Sequence, residues 1–147
     1  MRRISSSTRA LRAIAALLLL AAMACGGGDL TGPLGRSANI PVVGMNPGEF
    51  GFAITARDWS ASQSYSPDLQ VGSLQVGLAV AGYVGGSGSI SVIDATGAAV
   101  FTANIAGNIA AGNNTTIRGT PPFQVRVTAS HYTGIVSLGV NGARSPQ

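Results

Sequence analysis

The chain has 147 residues, enough for one domain with a buried core, and nine basic residues against five acids give it a formal net charge of +4. All nine are arginines; Arg2, Arg3, Arg9 and Arg12 fall in the first twelve residues, and the other five match the five acids, leaving the rest of the chain near neutral. That balance excludes a nucleic-acid binder working through a basic footprint, and a lone cysteine, Cys25, excludes an intramolecular disulfide framework.

The first element is a leader. Residues 2–12 carry the four arginines and no acid, and residues 13–24 form an unbroken apolar run around Leu17-Leu18-Leu19-Leu20. A basic region, a short apolar core and small residues at its end are the marks of a secretory signal peptide. The twelve-residue run falls short of the ~18 residues a transmembrane helix needs. After Cys25 comes Gly26-Gly27-Gly28, a flexible spacer, and Gly32-Pro33, Gly35 and Pro41 keep the following stretch irregular.

Ala22-Met23-Ala24-Cys25 resembles the lipobox of bacterial lipoproteins. The resemblance covers residues 1–28 and departs from the family at Ala22, where leucine is usual. It implies cleavage before Cys25, acyl chains on the Cys25 thiol and attachment to a membrane. Gly26, in place of the aspartate that retains enterobacterial members at the inner membrane, implies delivery to the outer membrane. Ala22-Met23-Ala24 also fits ordinary signal peptidase, which would release a soluble secreted protein.

The remaining elements read as strands. Asn46-Pro47-Gly48 is a turn. Phe50, Phe52, Ile54 and Ala56 then alternate with smaller or polar residues, placing both phenylalanines on one strand face. Residues 58–68 are expected to form a loop. In residues 69–84 the repeat Leu-Gln-Val-Gly shifts by five, so Leu69 and Leu74 share a face only if Gly72-Ser73 breaks the strand. Leu74, Val76, Leu78 and Val80 keep one face, and Gly85-Gly86-Ser87-Gly88 is expected to end the element. Ile90 and Val92 open a hairpin through the turn Asp94-Ala95-Thr96-Gly97. Its return strand has Ala99, Phe101, Ala103 and Ile105 on one face. Ile109 is expected to turn inward from a small-residue loop, and residues 115–118 to form a short edge strand. Phe123, Val125, Val127 and Ala129 alternate again; after a turn at residues 130–134, Val136, Leu138 and Val140 do the same.

About seven one-sided strands must bury their apolar faces against each other, which predicts an all-β fold, a single small antiparallel β-sandwich of Ig-like or jelly-roll-like type. The strand pattern after Gly88 resembles the jelly-roll or pre-peptidase-type modules appended to secreted bacterial enzymes. The expected organisation is a signal peptide at 1–24, lipidated Cys25 and a flexible linker at 25–45, the sandwich at 46–141 and a tail at 142–147.

Catalytic chemistry finds few supports. His131 is the one histidine, no Gly-x-Ser-x-Gly elbow frames a serine, and His131 reads as a turn residue. Asp58, Asp68 and Asp94 sit beside turn formers, as aspartates that bond the backbone do. Calcium through Asp58, Asp68 and loop carbonyls lacks any EF-hand spacing, and no cofactor or metal is expected. The candidate recognition site is the 58–68 loop, where Trp59 and Tyr65 would offer aromatic surface between Asp58 and Asp68 to a glycan or an envelope protein. The competing assignment places Trp59 at one end of the core. The sequence thus predicts a lipid-anchored, extracytoplasmic, non-catalytic binding or structural module of the cell envelope. The alternatives are a soluble secreted β-sandwich, or an accessory domain of an envelope enzyme or complex.

Overall fold

A computed structural model of the protein describes residues 38–142; residues 1–37 and 143–147, and with them the leader, Cys25 and the glycine spacer, lie outside the described residues. The described residues are all strand and turn: β1 (Val42–Asn46), β2 (Glu49–Tyr65), β3 (Ser73–Ile93), β4 (Ala99–Asn104), β5 (Asn114–Arg118) and β6 (Gln124–Gly142). Every pairing is antiparallel, in the order β1-β2-β6-β3-β4 with β5 also on β3.

The all-β antiparallel prediction holds, but the strand count differs for a physical reason. Three breaks expected from the sequence are bends inside long strands. Residues 58–65 continue β2, residues 85–88 continue β3, and residues 130–134 continue β6. The bends fold the single sheet over on itself. Phe50 and Tyr65, fifteen residues apart in β2, would be ~50 Å apart in a straight strand, yet their rings lie 5.5 Å apart. Two layers result. The first holds β1, β5, the leading halves of β2 and β3 and the trailing half of β6. The second holds β4, the trailing halves of β2 and β3 and the leading half of β6.

Each bend also switches which residues face inward. In β2 the buried set is Phe50, Phe52, Ile54 and Ala56, then Trp59, an odd position after even ones. In β6 it is Val125 and Val127, then Tyr132, Val136, Leu138 and Val140. One extra residue in the left-handed region, Asp58 (φ 48°) and His131 (φ 50°) respectively, makes each switch. β3 has two such residues, Gly82 and Gly86. Their switches cancel, so Leu74 to Val80 and Ile90 to Val92 keep the same even parity. Gly86 has no substitute here, because a Cβ would strike the His131 carbonyl.

The turns follow their residues. Gly48 has φ 77° after Pro47, the type II pattern. Gly97 (φ 83°) closes the β3–β4 hairpin by donating its N–H to the Asp94 carbonyl at 2.9 Å. Gly72 lies in the expected break, and Leu69 and Leu74 are both fully buried. Ile109 turns inward and bridges to Val80, and β5 is the expected edge strand. β1 overlaps the segment expected to be linker: Val43 packs on the core, and just before β1 Asn39 exchanges side-chain hydrogen bonds with the Arg57 backbone.

The core between the layers is apolar. Its largest fully buried member is Tyr132, whose hydroxyl donates to the Ile105 carbonyl at 3.1 Å. Burial, with the Tyr83 ring 5.8 Å away, pushes the Tyr132 phenol up to about 12.

Candidate functional site

The residues expected to form one recognition loop are dispersed. β2 continues to Tyr65, and the parity switch at Asp58 points Trp59 into the core, where it is 7% exposed. The loop assignment is therefore corrected, and Trp59 closes the core. Tyr65 is half-buried against Phe50 and Phe52, and its hydroxyl bonds Gln63. Asp58 stays outside at the β2 bend. Asp68 lies beyond the far end of β2, where its backbone carbonyl accepts the Gly48 N–H and its carboxylate accepts from Gln70.

Two polar clusters remain. The first is at the bend. His131 Nδ1 lies 2.7 Å from Asp58 Oδ1, with both side chains nearly four-fifths exposed. The two bulges are also stitched through backbone groups: the Asp58 N–H donates to Thr133 Oγ1 and the His131 N–H to Ser60 Oγ. A serine, a histidine and an aspartate thus meet, but the Ser60 oxygen accepts from the His131 backbone. The relay of a nucleophilic serine instead needs that oxygen against the ring. The histidine predicted as a turn residue sits at a strand bulge, beside Asp58, Ser60 and Thr133. The available signal was residue type, since Asn, Asp and His are the side chains that tolerate the left-handed region best. Asn39 (φ 69°), Asp58 and His131 are the three non-glycine residues in it among those described.

The second cluster is an open groove of about 440 Å³ that includes Ser66, Asp68, Gln70, Asp94, Pro122 and Gln124 in its lining. Asp94 is committed to the fold. It accepts from Thr96 Oγ1 at 2.6 Å and from the backbone N–H groups of Thr96, Ala98 and Thr120. These bonds, the Thr96 hydroxyl's first and the Thr120 amide's second, hold its carboxyl below the usual carboxylate value. The reading of Asp94 as a turn aspartate stands. Among the described residues no three His, Cys, Asp or Glu side chains gather as metal ligands.

The fold defines this chain as a small all-β protein built from one folded antiparallel sheet. No protein-family model matches the sequence, and no curated protein does. Among solved structures, a chain described under "Bacillus endospore appendages form a novel family of disulfide-linked pili" is similar over 75% of this chain and 96% of that one, with a TM-score of 0.41 and 17% identity. A likeness of that degree carries no functional conclusion here.

Proposed function

We propose that the protein is a lipid-anchored, extracytoplasmic β-sandwich that serves as a non-catalytic binding or structural module of a bacterial cell envelope. The observation that carries this reading is the order of parts: a basic and apolar leader, then Ala22-Met23-Ala24-Cys25, then Gly26-Gly27-Gly28, then a strand unit described from Ala38. Residues 26–37 give the unit a reach of at most ~40 Å from the acylated cysteine. Two or three acyl chains, at about 0.8 kcal/mol per buried methylene, hold durably where one does not. Gly26 favours the outer membrane. Fractionation tests the reading: the wild-type chain is expected with the membranes and Cys25→Ser in the soluble fraction. Membrane retention of Cys25→Ser would contradict lipid anchoring.

A second reading, an accessory subunit of an envelope complex, draws on Ile40, Val42 and Met45, which are exposed along the β1 edge. Capture of a defined envelope partner that is lost in Val42→Asp would favour it.

A further inference from the structure

The outer face of the second layer is a lattice of hydroxyl groups around one arginine. Cross-strand register aligns Ser64, Arg126, Ser91 and Thr102 in one row and Ser62, Thr128, Ser89 and Asn104 in the next. All eight side chains point away from the core, since the alternating positions Ala61, Val125, Val127, Ile90, Val92 and Ala103 face inward. Rows lie about 6.8 Å apart along the strands, and neighbours within a row about 4.8 Å apart. Ser89 and Thr128 share a 2.9 Å hydrogen bond, and Ser91 and Thr102 one of 3.3 Å.

Sheet formation does not demand this composition. The corresponding outer row of the first layer is Gly44, Gly51, Gly139 and Gly77. Serine also packs less of a pleated surface than the β-branched residues strands favour. Each hydroxyl both donates and accepts, which suits a ligand that is itself a field of hydroxyls. Arg126 supplies the charge. It is exposed, it makes a long 3.4 Å bond to Gln124, and no described carboxylate pairs with it. No acid stands in either row, so the face complements a negative ligand.

We propose that this face binds an acidic polysaccharide, with a carboxylate of the glycan on Arg126 and its hydroxyls across the Ser/Thr rows. The proposal deepens the envelope-module reading and rests on export of the domain. The two fail separately, because glycan binding is measured on purified full-length protein whether or not Cys25 is acylated.

The test is calorimetric titration of that protein with polygalacturonate and with neutral dextran. Binding is expected for polygalacturonate alone, weakening as salt rises. Arg126→Gln is expected to weaken it about tenfold, the loss of one charge-assisted contact. Ser62→Arg, which adds a second cation to the lattice, should tighten it. Gln75→Arg, with the same net charge on the other layer, should leave it unchanged. Equal binding of dextran, no binding of either polymer, indifference to Arg126→Gln, equal gains from the two added arginines, or preference for anionic lipid vesicles would each overturn the proposal.

Discussion

The two outer faces of the folded sheet share an interior and differ in almost everything else. The first layer is smooth: a row of four glycines beside Val42, Ala53, Ser137 and Ala79. The second is hydroxylated and carries Arg126. Inward residues are dictated by the fold, since the same three long strands contribute to both layers of one core. Outward residues are free of that constraint, and their divergence is where function has room to act. The glycines make the point locally. A Cβ on Gly44, Gly51 or Gly139 would meet nothing within 4 Å, whereas one on Gly86 or Gly88 would collide with the neighbouring β6 backbone. Glycine at the bends is needed for folding; at these three positions of the smooth face it is not.

Substitutions that act on the shared interior should be the most damaging. Trp59→Ala is expected to cost about 3–5 kcal/mol in urea unfolding, as removal of a large core aromatic does. A cost under about 1 kcal/mol would return Trp59 to the surface and undo the parity switch at Asp58. Tyr132→Phe should cost about 1 kcal/mol, the net worth of one hydrogen bond, because the Ile105 carbonyl keeps the Gly107 N–H as a second donor. This site also has a pH signature. The folded phenol is pushed up to about 12, so its contribution is whole below the ordinary value near 10 and is lost as pH climbs through about 12. Alkaline unfolding should therefore shift in Tyr132→Phe.

The two kinds of glycine give the next pair. Gly86→Ala should destabilise by at least about 1 kcal/mol, through its positive φ and its contact with the His131 carbonyl. Gly51→Ala, in an extended strand with open space above it, should stabilise by about 0.5 kcal/mol. Equal effects at the two sites would erase the distinction. The smallest change is expected at Asp94, an exposed turn. With its pKa lowered by Thr96 and Thr120, its contribution is present above about pH 4 and fades as pH falls through the depressed value. Asp94→Asn should flatten the acid limb of the stability curve by slightly lowering stability in the neutral range, and leave stability at the acid end nearly unchanged.

Much of this fold was legible in the sequence because alternation reports a strand's buried face directly. Phe50 to Ala56, Leu74 to Val80, Phe123 to Val127 and Val136 to Val140 all bury the faces their spacing predicts. The bends read as loop, turn or strand end in the sequence because a bulge in the middle of a strand and the end of a strand present the same local signals. Gly82, Gly86, Asp58 and His131 disrupt a period of two either way, and only the cross-strand partner decides between them. With β2 continuing past Asp58, Trp59 takes the core position that the competing assignment gave it, and the expected recognition loop is dispersed. The hydroxyl lattice left a trace in Ser60-Ala61-Ser62-Gln63-Ser64 and in Ser87-Gly88-Ser89-Ile90-Ser91. Its two-dimensional order exists only once the register brings those segments onto either side of β6.

Attachment through Cys25 is the claim on which the envelope role turns, and the mass of the mature exported protein tests it most directly. A chain beginning at Cys25 and carrying acyl groups on that residue is the predicted result. A chain beginning at an unmodified Cys25, or one that retains Met1, would contradict it.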